Sequence, residues 1–217
     1  LDTGTSKVIY SQAGTEKSLE FRICIGKDFL LCGGLEDGIT AKLVSAWELT
    51  KQRAAEKQSP LPSSDTLAGR DFPAPIETRE NDFSAFVQAM PADASCSLGF
   101  LRSDNRLLAG FARGCANTEQ VRQGLQICFS EVWNLTGQWW RKYWKDVPSL
   151  DCPDAAIRQL YLDGMYKYGC MTHPAGVPAG LQGPWIEDDR FPPWSGDYHF
   201  NINVQLCYSP SLNAGKY

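Results

Sequence analysis

With 217 residues, 43% hydrophobic content and a formal net charge of −4, the chain has the make-up of one or two soluble domains. Mild acidity and the lack of a Lys/Arg run argue against a nucleic-acid groove. No apolar run reaches the roughly 18 residues of a membrane-spanning helix, so no membrane partner is expected. The eight cysteines form no Cys-x-x-Cys pair and the only histidines are His173 and His199, so neither a metal nor a cofactor is expected. Free thiols are the simplest state for the cysteines, and the compartment and oligomeric state stay open.

Taken in chain order, the first half reads as β. Ser18 to Ile25, Phe29 to Cys32, Ile39 to Trp47 and Phe83 to Met90 are short apolar-rich runs bounded by Gly, Asp and Pro. Ser97 to Leu101 and Leu107 to Ala112 flank Ser103-Asp104-Asn105, a good hairpin turn. Lys57 to Asp82, rich in Pro, Ser and charge, reads as a long mobile loop. Leu1-Asp2-Thr3-Gly4 contains the Asp-Thr-Gly triplet of aspartic proteases. That chemistry needs two such carboxylates, and no second triplet occurs.

One long helix is predicted from near Asn117 to about Lys145. Thr118, Val121, Leu125, Cys128, Phe129, Val132, Trp133, Leu135, Trp139, Trp140, Tyr143 and Trp144 recur at three- and four-residue steps, and Pro148 closes the run. Asn134-Leu135-Thr136 fits a glycosylation sequon inside that stretch. A second helix follows Cys152-Pro153, with Asp151 as N-cap, an apolar stripe of Ile157, Leu160, Tyr161, Gly164, Met165 and Tyr168, and an end near Cys170 or Met171.

His173 to Asp197 is rich in Pro and Gly and carries Trp185, Trp194 and the triplet Glu187-Asp188-Asp189, which reads most simply as a solvated loop face. Asp197, His199, Asn201, Asn203 and Gln205 then alternate with Tyr198, Phe200, Ile202, Val204 and Leu206. If extended, this segment lines one wall with five short hydrogen-bonding groups. An ordinary half-buried strand has the same pattern. Short amides and an imidazole near indoles suit a sugar, because such groups are costly to bury unpaired.

Three ordered elements lie in this region. They are Leu181-Gln182-Gly183-Pro184-Trp185, Pro192-Pro193-Trp194 and Asp197-Tyr198-His199-Phe200-Asn201-Ile202-Asn203. Together they resemble the six-hairpin glycosidases, most closely glycoside hydrolase family 95, the α-L-fucosidase group, over residues 115 to 217. The resemblance implies an α+β chain of three parts: β-sandwich-like strands over 1–115, a linker helix over 116–150, and over 151–217 the beginning of an incomplete (α/α)6 toroid. It implies hydrolysis of α-L-fucosyl or α-L-galactosyl ends of glycans, with a carbohydrate as the partner. Asn201 and Asn203 would hold the attacking water through their amide oxygens. His199, Trp185, Trp194, Asp197 and Gln182 would contact the sugar. Inversion needs two carboxyl functions with room between them for water. The resemblance places both downstream of Tyr217. A piece of a longer protein, inactive alone, is therefore expected. The alternative from another class is a non-catalytic carbohydrate-binding protein.

Overall fold

The computed structural model describes residues 2–45, 48–49, 73–174, 176–181, 183 and 193–216. The chain divides into two compact units. One is Gly4–Gly137 and the other Gln138–Tyr217 with Leu1–Thr3. Strands followed by helices make an α+β chain.

The first unit is built on one antiparallel sheet of seven strands. They are β1 (Ser6–Gln12), β2 (Thr15–Ile23), β3 (Phe29–Gly33), β4 (Ile76–Arg79), β5 (Phe83–Gln88), β6 (Cys96–Ser103) and β7 (Arg106–Arg113), in the spatial order β1-β2-β3-β7-β6-β5-β4. Turn chemistry sets the hairpins. Ala13 and Gly14 join β1 to β2, both at positive φ (51° and 77°), as a two-residue turn that follows the strand twist requires. Asp104 and Asn105 join β6 to β7, with Asp104 at φ 50°, at the predicted hairpin.

One face of the sheet carries the core. Cross-strand register aligns Arg22, Leu31, Leu108, Leu101 and Phe83 in a row across five strands. Leu31 and Phe83 are completely enclosed. Helix α1 (Thr118–Gly124) and the start of α2 (Phe129–Lys145) cover this face through Val121, Leu125 and Val132. Gly99 and Gly110 make the approach possible. A Cβ on Gly99 would stand 2.7 Å from Val121 Cγ1, and one on Gly110 would stand 2.8 Å from Leu125 Cδ2.

Several expectations are corrected. The strand predicted over Ile39 to Trp47 is irregular through residue 45, and Ala46 and Trp47 lie outside the described residues. Of the loop predicted over Lys57 to Asp82, residues 57–72 lie outside them, and Ile76–Arg79 form an edge strand paired with β5. Strand β1 has no counterpart among the predicted elements.

The single helix predicted from Asn117 to Lys145 is two. Asn117 does cap the first, accepting a hydrogen bond from Gln120 N at 3.0 Å, while Gln120 Oε1 accepts from Ala116 N. After Gly124, a poor helix former, the backbone turns. Leu125 then sits in the sheet core at 2% exposure and helix resumes at Phe129.

In the second unit, α3 (Ala155–Met171) is capped by Asp154 rather than Asp151. The Asp154 carboxylate accepts from Ala156 N and Ile157 N, which places Pro153 just outside the helix. Its Met165 and Tyr168 pack with Trp140 and Tyr143 of α2, and Tyr143 Oη donates to Met165 O at 2.6 Å. The other end of the predicted stripe, Ile157 and Leu160, is exposed. A 3-10 turn (Pro193–Gly196), α4 (Ile202–Tyr208) and α5 (Pro210–Asn213) complete the described elements. Ala214 is buried in the aromatic cluster and Tyr168 Oη donates to Lys216 O, which pins the segment after α5 onto α2 and α3.

Candidate carbohydrate site

The alternating segment is not a strand. Residues 197–199 are irregular, and Ile202–Tyr208 are helical with Asn201 as N-cap residue. An extended segment must find partners for its N–H and C=O groups along its length, and the described ladders of the sheet pair β1 to β7 only with one another. A helix satisfies those groups internally. The five polar residues therefore do not form a single wall, and Asn201 and Asn203, two apart at a helix start, do not share a face.

Two tyrosines build the site instead. Tyr198 Oη donates to Pro178 O at 2.5 Å, and Ala179 N donates to Tyr208 Oη at 2.7 Å. Gly180 passes so near Gly196 that a Cβ there would stand 2.8 Å from Gly196 O. These contacts tie residues 178–180 to the 3-10 turn, to Tyr198 ahead of α4 and to Tyr208 at its C-terminal end. Tyr208 was not anticipated. It lies outside the alternating run, and only the folded loop brings Ala179 to it.

Within this patch the His199 ring stands edge-on to Trp194, with centroids 4.9 Å apart at 65°. His199 Nε2 is shielded from solvent and has no hydrogen-bond partner among the described residues. A buried polar atom without a partner marks a place where a missing donor or acceptor belongs. Trp194 is held at φ 53° with 68% of its surface exposed. A bulky residue at positive φ is strained, so the surrounding turn holds it there. Asn201 is exposed, and its side chain makes no capping hydrogen bond, which leaves the amide available. Asn203 is half-buried and Asp197 exposed. Gln182, Trp185 and the triplet Glu187-Asp188-Asp189 lie outside the described residues. An exposed indole, a partnerless imidazole and an uncommitted amide can together take hydroxyl groups and the apolar face of a sugar ring.

All eight cysteines are free, with Cys24 and Cys32 buried. Among the described residues no group of three or more His, Cys, Asp and Glu is placed to hold a metal, and no helix is long and apolar enough to cross a membrane.

Residues 135–215 match the model of the glycosyl hydrolase family 95 catalytic domain. Over 54 residues the chain is 43% identical to a protein of Aspergillus niger named "Probable alpha-fucosidase A", a match covering 24% of this chain and 7% of that protein. Over 62 residues it is 37% identical to "Alpha-L-fucosidase 2" of Arabidopsis thaliana, covering 29% of this chain and 7% of that one. The chain thus matches a small part of the length of these relatives. The likeness to family 95 expected from the Pro-Pro-Trp and Asn-x-Asn elements is present, and the match includes the whole described site.

Proposed function

We propose that this chain, family-95-like over residues 135–215, is a portion of a glycoside hydrolase that cleaves α-L-fucosyl or α-L-galactosyl ends of glycans with inversion. The architecture proposed for the whole protein is a β-sandwich-like domain over 1–115, a helical linker over 116–150 that α1 and α2 form, and, from 151, an (α/α)6 toroid. The observation that carries the reading is the His199–Trp194 pair, with its unpartnered Nε2, inside the segment that matches the catalytic domain.

Asn201 and Asn203 hold the attacking water through their amide oxygens. An amide accepts a hydrogen bond but takes no proton, so basicity comes from a carboxylate. In an inverting enzyme that carboxylate and the general acid stand about 6.5–9.5 Å apart, with the water between base and sugar. Both are assigned to chain beyond Tyr217, so the 217 residues alone bind sugar without turning it over. His199 offers its imidazole to a ring hydroxyl, Trp194 and Trp185 supply apolar faces, and Asp197 and Gln182 contact further hydroxyls.

The test uses the protein extended through its complete catalytic domain, with Asn201→Ala and Asn203→Ala. Release of fucose from a fucosylated oligosaccharide should fall by about 10²-fold or more. Proton NMR during turnover should show the inverted anomer first. Wild-type rates in both variants would sink the role given to the amides.

A second reading, a carbohydrate-binding protein without catalysis, is favoured by one feature. The two asparagines stand at the N-cap and the second helical position of α4, not at alternate positions of one strand face. That reading predicts saturable binding of fucose or galactose by the extended protein with no hydrolysis.

A further inference from the structure

We infer that the sheet unit carries a second saccharide site, between β2, β3 and β7 and the first turns of α2. A pocket of about 430 Å³ lies there, within the ~300–1,000 Å³ of small-molecule sites. Its floor is one row of the sheet. Glu20 on β2 is paired with Gly33 on β3, and Gly33 with Arg106 on β7. This row is two residues along from the core row Arg22–Leu31–Leu108, so it faces the same side. Glu20 and Arg106 are two strand spacings apart, about 10 Å, with a bare backbone between them.

Neither backbone nor packing requires a glycine at position 33. Its φ is not positive, and a Cβ there would meet nothing within 4 Å. The neighbouring Gly34 is different, with φ 83° and a Cβ position 2.6 Å from Ser18 O. A glycine at a strand end that could hold a side chain freely, above open volume, keeps room for something that approaches the backbone.

The walls define the ligand. Phe129 and Trp133 of α2 stack at 5.5 Å and 17° along one side. Asn134 and Ser130 beside them add hydrogen-bonding groups. Arg106 lies over Phe129 at 5.1 Å and reaches Ser130 Oγ at 3.3 Å, and Glu20 lies 3.7 Å from Lys7 Nζ in an exposed pair. One carboxylate and one guanidinium stand at opposite edges of the floor, with Lys7 beside the carboxylate and Arg22 over the Trp133 ring at 4.2 Å. A neutral ring with hydroxyls at opposite edges satisfies both: it donates to Glu20, accepts from Arg106, and lays its C–H face against the aromatic side. The inference takes its ligand class from the glycosidase reading but places the ligand in the other unit.

The decisive measurement is a ¹⁵N–¹H titration of the 217-residue protein with fucose, galactose and a fucosyllactose at millimolar concentration. It is repeated for Gly33→Leu, which fills the space, for Arg106→Gln, and for Asn201→Ala. Saturable shifts are expected at the Gly33 and Gly34 amides and the Trp133 indole. Gly33→Leu and Arg106→Gln should weaken them about tenfold or more, and Asn201→Ala should leave them intact. If Gly33→Leu fails to fold, by its circular dichroism, Arg106→Gln and an added Asn134→Ala carry the test. No shift at Gly33 with any sugar, equal shifts in wild type and the pocket variants, or shifts with free amino acids in place of sugars would overturn the inference. Sugar shifts at Gly33 in wild type, with no hydrolysis by the extended protein, would sink the fucosidase reading and leave this site standing.

Discussion

Single side chains decide how tightly α1 lies on the sheet and which thiols react. At Gly110 an added Cβ would stand 2.7 Å from the Phe29 ring and 2.8 Å from Leu125 Cδ2, both in or against the core. Gly110→Ala should therefore destabilise the sheet unit by about 1–3 kcal/mol through overpacking, measurable by urea denaturation. Burial pushes the thiols of Cys24 and Cys32 up from their ordinary range, and it is the leading cause at both. Cys128 is exposed. A brief iodoacetamide pulse at neutral pH should label Cys128 and spare Cys24 and Cys32 in the native protein, with all three labelled in denaturant. Equal labelling in the native state would show that this core opens freely. The sequence announces an even cysteine count, but which thiols are enclosed depends on what packs over each one in the folded unit.

At the scale of elements, the start near Asn117 was legible, while the cap at Asp154 and the break after Gly124 were not. The helix starts near Asn117 as its spacing predicted, with Asn117 Oδ1 accepting from Gln120 N and Gln120 Oε1 accepting from Ala116 N. Asn117→Ala should cost about 1 kcal/mol, seen as a lowered urea midpoint with unchanged slope. The break after Gly124 was hidden because Leu125, Cys128 and Phe129 keep a helical spacing across it. Burial of Leu125 in the sheet outweighs the hydrogen bonds of a continuous helix. Strand β4 was hidden for the opposite reason. Four residues are too short to show an alternation, and β5 supplies the partner that makes them a strand. In the candidate site, the residues around His199 and Trp194 stood out by type. Their arrangement did not, because period-2 alternation gave no warning that Ile202–Tyr208 would coil.

On the scale of the whole molecule, each unit has its own core, and in the second it is aromatic. Trp140, Tyr143, Met165 and Tyr168 are nearly fully enclosed. Burial, with a smaller contribution from Tyr168, raises the Tyr143 phenol far above the ordinary tyrosine value. Its ionisation is thus harder in the folded chain than in the unfolded one. The stabilisation is complete below the unfolded pKa near ~10 and is lost as pH rises beyond it. Thermal melts followed by Trp fluorescence should hold steady to about pH 9 and fall above about pH 10. Tyr143→Phe, which loses the bond to Met165 O, should melt lower at neutral pH by about 1 kcal/mol. The gap to wild type should close in alkali. A constant gap across that range would contradict the role of Tyr143.

The amino-acid sequence by itself determined the α+β class, the Asp104-Asn105 hairpin, the helix start near Asn117, the end of α2 at Lys145, and the family likeness written in short ordered elements. These are local or linear properties, carried by turn chemistry, capping side chains and residue order. Tertiary structure alone decided the rest. Whether residues 202–208 became strand or helix depended on a pairing partner, and among the described residues no strand is paired with them. The loop tied down by Tyr198 and Tyr208, and the row of Glu20, Gly33 and Arg106, join residues distant along the chain. Register across a sheet and the packing of a loop are long-range choices, made by the burial and hydrogen bonding of the whole unit, and no short window of sequence contains them.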